Sequence, residues 1–366
     1  MKSLFDKTHF AGLNLKNRFI RSATNDGLAD ECGHMTEELF QVYENLAKGG
    51  VGTIITGLTF VTDLEQSIPR QMGICDDSFI DEYKKLTEMS HRYNANIILQ
   101  IACLGSQTSL NASGKVMWGP SSIEDLGYKT TPEEMTAQEI PLVQTAFADA
   151  ALRAKKAGFD GVQMHVAHGY LLSKFLTPYY NRRTDGYGGS IENRARMVLE
   201  TYKAIREKVG PEYPILIKIN SEDYMSQGMT FEECKYVCKK LVELGINAIE
   251  ISGGSLSARP NEGPLRKITP EQESYFKLYA AEIAQEINVP VILVGGNRDF
   301  ELLTEILNQT PIEYIALCRP LICESNLINR WQRGDLKHAK CISCNKCFRR
   351  GGTICIFNRQ NNSAAQ

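Results

Sequence analysis

Eight short runs rich in Val and Ile punctuate the chain: RFIRSAT (18–24), GTIITGL (52–58), NIILQIA (96–102), GVQMHVA (161–167), PILIKIN (214–220), AIEISGG (248–254), PVILVGG (290–296) and YIALCRP (314–320). Between them the apolar positions recur three and four apart. TEELFQVYENLAKGG (36–50) and TFEECKYVCKKLVELGI (230–246) show this spacing, and each has a Gly after the last turn. Strand and helix in such alternation require parallel pairing with the helices outside. The class is α/β, and eight strands of this length close most naturally into a (β/α)8 TIM barrel whose working face lies at the carboxyl ends of the strands. The alternative, an open doubly wound sheet, calls for Gly-x-Gly-x-x-Gly after the first strand, and none follows the run that starts at Arg18. Two insertions break the rhythm, residues 103–135 after the third strand and 169–190 after the fourth, and long loops on that face usually carry substrate contacts. Ahead of Arg18, HFAGLNLKN holds a turn signal between short apolar pieces and predicts a hairpin across the barrel bottom. The expected division is a barrel over 1–335 and a cysteine-rich C-terminal extension over 336–366.

Charge narrows the partners. With 41 Lys+Arg against 43 Asp+Glu the formal charge is −2, which provides no field to draw in nucleic acid or anionic lipid. A small neutral or mildly anionic substrate fits better. No stretch approaches the roughly 20 apolar residues that span a bilayer, and MKSLFDKTHF lacks the apolar core of a secretory signal, so a soluble, cytoplasmic protein without membrane contact is expected. Eleven cysteines in such a chain fit a reducing compartment rather than a disulfide framework. Four of them crowd into the last 26 residues.

A barrel brings its strand ends to one mouth, so residues distant in sequence form one site. Those ends carry Thr24, Asn25, Gln100, His165, His168, Lys218, the Gly pairs 253–254 and 295–296, and Arg319. The Gly pairs after the sixth and seventh strands, followed by Arg319 on the eighth, suit a phosphate: bare backbone N–H groups approach it and a guanidinium grips it bidentately. In GVQMHVAHGYL, His165, His168 and Tyr170 stand directly after an apolar run. A His-x-x-His pair can also ligate metal, but no third ligand follows at zinc-like spacing, and a buried structural pair is the plainer alternative.

The long irregular run HVAHGYLLSKFLTPYYNRRTDGYGGSIENRARMVLE (165–200) resembles the signature of the Old Yellow Enzyme family of flavin-dependent ene-reductases, and the similarity extends from about Leu4 to Leu321. The resemblance implies a barrel with non-covalent FMN at its mouth, reduced by NAD(P)H and reoxidised by an α,β-unsaturated carbonyl compound. By position, His165 and His168 match the pair that binds the substrate carbonyl, and Tyr170 matches the proton donor. Gln100 and Lys218 match residues facing the flavin pyrimidine edge, and Ser22, Ala23 and Thr24 the segment that wraps the flavin. Gly254, Gly296 and Arg319 match the phosphate cradle. The chemistry agrees: two fixed N–H donors stabilise negative charge developing on a carbonyl oxygen, a phenol can protonate the α-carbon, and a cation near flavin N1 favours the reduced form. There are departures. Lys218 stands where many relatives have Arg, and Asn25 where some bacterial relatives place a redox-tuning cysteine; Cys32 lies too far along to replace it. Cys103 reads as a packed thiol, and Cys318 as a size match before the phosphate arginine.

In the tail, Cys341, Cys344, Cys347 and Cys355 form a C-x2-C-x2-C-x7-C array, whose two-residue gaps let thiolates converge on one centre. A 4Fe-4S cluster, zinc, and free thiols packed under the barrel all remain open. The array resembles the cluster-binding group of the 2,4-dienoyl-CoA reductase branch, although that branch has wider second and third gaps and adds a flavin and nicotinamide domain. With only 11 residues after Cys355, a cluster here would call for an external electron carrier. Besides the FMN ene-reductase, two other functions are compatible: a Schiff-base lyase built on Lys218, and a non-catalytic iron–sulfur or zinc barrel protein. A homo-oligomer is compatible with all three.

Overall fold

Each of the eight apolar runs forms a strand in the structure, a computed structural model that describes residues 1–65, 68–108, 115–348 and 351–359. They are β1 (Phe19–Arg21), β2 (Thr53–Ile55), β3 (Asn96–Ala102), β4 (Gly161–Val166), β5 (Ile215–Asn220), β6 (Ala248–Ser252), β7 (Val291–Leu293) and β8 (Tyr314–Leu317). Each pairs in parallel with its neighbours in chain order, and β8 returns to β1, so the sheet closes into a (β/α)8 barrel. Closure with helices outside buries both faces, and every residue of β4 and β5 is buried.

The helices begin where cap chemistry places them. Thr36 accepts the Leu39 N–H ahead of Glu37–Lys48, and Thr230 with Glu233 forms a reciprocal capping box ahead of Phe231–Glu243. The predicted hairpin is present as Thr8–Phe10 paired antiparallel with Leu13–Leu15. Phe10 packs on Tyr314, at the start of β8, with ring centroids 5.2 Å apart, which puts the hairpin across the bottom.

Three features depart from the sequence expectation. Two short strands, Thr59–Phe60 and Met72–Gly73, extend the sheet beside the end of β3. The second insertion contains a short helix, Leu171–Leu176, directly after the histidine motif. The cysteine tail does not pack under the barrel: the Thr353 N–H and Oγ1 bond the carbonyls of Asp26 and Asn25 just beyond β1, so it lies on the mouth side. Residues 109–114 of the first insertion, and 349–350 and 360–366 of the extension, lie outside the described residues. Among the described residues no helix is long and apolar enough to cross a membrane.

Candidate active site

Strand register builds the floor of the mouth. His165 of β4 pairs with Lys218 of β5, Lys218 with Glu250 of β6, and Gln163 of β4 with Gln100 of β3. Side chains two apart on a strand share a face, so Gln163 with His165 and Glu250 with Ser252 point to the same interior. There Gln100 Nε2 donates to Gln163 Oε1 (2.7 Å), and Gln163 Nε2 to Glu250 Oε2 (2.7 Å). Ser22 Oγ donates to Glu250 Oε1 (2.6 Å), while Lys218 Nζ donates to Ser22 Oγ (2.7 Å) and lies 3.0 Å from Glu250 Oε1. A buried ion is tolerated only when paired and hydrogen-bonded, and this chain across four strands and the residue after β1 meets that condition.

Above the floor stand the imidazoles. His165 and His168 meet edge to face with centroids 5.1 Å apart, and the Tyr170 ring lies 4.5 Å from His165. His165 Nδ1 accepts the Ala167 N–H (3.3 Å), which leaves the proton on Nε2. His168 Nε2 lies 2.8 Å from Ser252 Oγ, and its backbone N–H donates to Asn220 Oδ1 (3.1 Å). Burial, then His168 and Lys218, holds His165 well below the ordinary imidazole range; burial and Lys218 take His168 down to about 3. Both rings are therefore neutral donors near pH 7. Burial pushes the Tyr170 phenol up, with the Tyr128 ring adding to the effect, so Tyr170 keeps its proton.

Ser22, Ala23, Thr24, Gln100, Lys218, His165, His168 and Tyr170 all border one cavity of about 320 Å³. A second, smaller cavity shares Pro264, Leu265, Tyr275, Val294, Gly295 and Cys318 with it and continues to Gly296 and Arg319. The space thus runs from an imidazole pair, past a lysine and a glutamine amide, to a guanidinium beside left-handed glycines (φ 114° at Gly295, 77° at Gly296). That sequence of groups fits a flavin mononucleotide: polar donors for the pyrimidine edge, apolar walls for the rings and a cation for the phosphate. Gly254 borders neither cavity; a Cβ there would lie 2.4 Å from the Glu262 carbonyl, so it serves a close backbone approach.

The four tail cysteines all border a third small cavity, which also touches Arg319. Among the described residues, no three His, Cys, Asp or Glu side chains converge closely enough to hold an ion. All four thiols are free, and burial raises those of Cys341 and Cys347.

The sequence reading missed several groups. Gln163 and Glu250 are one set; a polar residue inside each apolar run, two positions before a site residue, was their signal. Gln107 and Tyr128 from the first insertion and Phe348 from the tail also line the main cavity. Gln107 Nε2 and the Tyr128 N–H both donate to Asp125 (2.7 Å each), whose carboxylate pairs with the buried ammonium of Lys174. Asn25 borders the main cavity as well.

Fold and cavity together define the class: a (β/α)8 barrel whose strand-end cavity fits a flavin. A model of the NADH:flavin oxidoreductase / NADH oxidase family matches residues 3–337, and the chain belongs to that family, in which FMN and NAD(P)H are the cofactors. It is 34% identical over 347 residues to an NADH oxidase of Thermoanaerobacter brockii, covering 94% of this chain and 53% of that protein. It is 29% identical over 366 residues to a cinnamate reductase of Clostridium sporogenes, covering 94% of this chain and 55% of that one. The chain thus spans about half the length of these curated relatives. The solved structure of an old yellow enzyme homologue from Zymomonas mobilis matches with a TM-score of 0.78 at 25% identity, covering 92% of this chain and 94% of that one.

Proposed function

We propose that the chain is an FMN-dependent ene-reductase acting on the C=C bond of α,β-unsaturated carbonyl compounds. Bound FMN would supply the redox chemistry, accepting hydride from NAD(P)H and delivering it to the alkene. The observation that carries the reading is the neutral pair His165 and His168 facing the same cavity as a protonated Tyr170. His165 offers Nε2–H, and with Ser252 Oγ–H donating to Nε2 of His168 that ring offers Nδ1–H. The two N–H groups hold the substrate carbonyl and stabilise the charge that develops on its oxygen. Tyr170, against the His165 ring, hands its phenolic proton to the α-carbon. Lys218, with Gln100 and Ser22, would lie along the flavin pyrimidine edge. The name of the cinnamate-reducing relative is in keeping with this substrate class. The lyase alternative is disfavoured because Lys218 Nζ is held by Ser22 and Glu250 as a hydrogen-bond donor rather than presented as a free amine.

Anaerobic half-reactions test the reading. Tyr170→Phe should slow oxidation of the reduced protein by 2-cyclohexenone by about 10²-fold, leaving reduction by NAD(P)H nearly unchanged. Equal loss in both half-reactions would assign Tyr170 a structural part and remove the acid from the scheme.

For the extension from residue 336 we propose an iron–sulfur seat on Cys341, Cys344, Cys347 and Cys355, supported by ligand type, spacing and their common cavity; as described, the four thiols do not converge on one point, so they would have to draw together around the cluster. Anaerobically purified protein should contain iron and acid-labile sulfide, and Cys344→Ser should abolish both while FMN stays bound. Protein prepared this way without iron or sulfide would end that reading.

A further inference from the structure

Arg319 borders both the phosphate-side cavity and the cysteine cavity. Its Nη1 donates to the Arg266 carbonyl (2.7 Å), the Ser343 carbonyl (3.4 Å) and Asn345 Oδ1 (2.5 Å). Two of these three acceptors belong to the cysteine segment. The other end of the same amide, Asn345 Nδ2, donates to the Leu265 carbonyl (3.2 Å), in the loop after β6. One turn-forming residue between Cys344 and Cys347 therefore joins the loop after β6 to the arginine after β8. The loop after β7 is joined as well: Arg298 Nη1 donates to the Cys341 carbonyl (3.0 Å), and the Ala339 N–H to the Arg298 carbonyl (3.0 Å). Segment 339–345 is thus bonded to each of the three loops that flank the phosphate end of the cavity.

From this geometry we infer that Asn345 is a positioning residue for flavin binding, the group through which the cysteine segment holds Arg319 ready for the phosphate. The inference rests on the assignment of the phosphate to Arg319. A free arginine samples many rotamers and must be ordered by its ligand, whereas one whose Nη1 is already fixed by acceptors meets the phosphate pre-organised. Arg319 is buried, and of the three acceptors of its Nη1 among the described residues, Asn345 is the one that contributes a side chain. The cysteine segment is then a clasp on the flavin, whatever its thiols hold.

Riboflavin, which is FMN without the phosphate, separates this role from a general structural one. The variant is Asn345→Gly, because Asn345 has φ 60° and glycine adopts that backbone freely, so only the amide is lost. Full-length protein stripped of flavin is titrated with FMN and with riboflavin, following quenching of flavin fluorescence. Asn345→Gly should raise the Kd for FMN about tenfold, the usual scale for losing a hydrogen bond to a charged group, and leave riboflavin unchanged. In an Arg319→Met background the same change should add nothing. An unchanged FMN Kd, or equal weakening of both flavins, overturns the inference. If the unmodified protein held FMN no more tightly than riboflavin and Arg319→Met were silent, the phosphate assignment itself would fall and this inference with it.

Discussion

Removing the charge of Lys218 while Glu250 stays in place measures how the mouth is held together. The two groups lie 3.0 Å apart with side chains 3% and 0% exposed. Breaking one partner of such a buried pair costs about 3–5 kcal/mol. Ser22 Oγ and Gln163 Nε2 still donate to Glu250 after Lys218→Met, which argues for the lower end, about 3 kcal/mol. With an unfolding entropy of about 2.1 cal/mol/K per residue, the 366-residue chain loses about 4 °C in Tm for that cost. Lys218→Met with Glu250→Gln removes both charges and keeps an acceptor for Gln163, so the double variant should regain at least half of the loss. The assay is thermal unfolding by circular dichroism on flavin-free protein, because bound flavin would shift Tm by mass action. If the double variant loses as much as the two single variants summed, the coupling is zero and the two residues do not act as a pair.

The histidine pair should be needed for alkene chemistry but not for flavin binding. His165→Ala with His168→Ala should keep FMN and lower enone reduction by about 10³-fold or more, and a variant that still worked near the original rate would refute the carbonyl role. Burial raises the Glu65 carboxyl from 4.5 to about 7, although its oxygens accept the N–H groups of Leu104 and Gly105. Between those two values the folded state binds more protons than the unfolded one, so this group's stabilisation is full below about pH 4.5 and is lost as pH rises through 7. Glu65→Gln should flatten that slope in denaturant titrations across the window; an unaltered slope would show that Glu65 is ionised throughout.

The barrel was legible because an uninterrupted Val/Ile run has few alternatives to a buried strand, and cap residues such as Thr36 and Thr230 mark where helices begin. His165, His168 and Arg319 were legible for the same reason: a polar residue at the end of such a run has only the mouth to occupy; Lys218, two places before the end of β5, was legible through its match to the family pattern. Gln163 and Glu250 were harder, because a polar residue within a run gives no sign of whether it faces the barrel axis or the helices; register with Gln100 and Lys218 decides it. Gln107, Tyr128 and Phe348 carry no local signal, since what brings them to the cavity is docking, in the first two through the buried Lys174 and Asp125. Gly254 shows the limit of reading glycines, because a turn and a ligand cradle leave the same letter in the sequence. The placement of the cysteine tail depends on hydrogen bonds to Asn25 and Asp26, more than 300 positions away in the chain.

His168 has φ 63° and is followed by Gly169 at φ 81°, so two consecutive left-handed residues turn the chain out of β4. Glycine takes that conformation without penalty, but a residue with a Cβ gives up about 1–2 kcal/mol to do so. The Asn220 side chain and the Ser252 hydroxyl hold His168 there. Fitness and robustness therefore pull in opposite directions at this position. A lineage selected for heat resistance alone would drift toward glycine at 168, and with it would go the carbonyl donor proposed above, so on that proposal the imidazole is kept at a cost in stability.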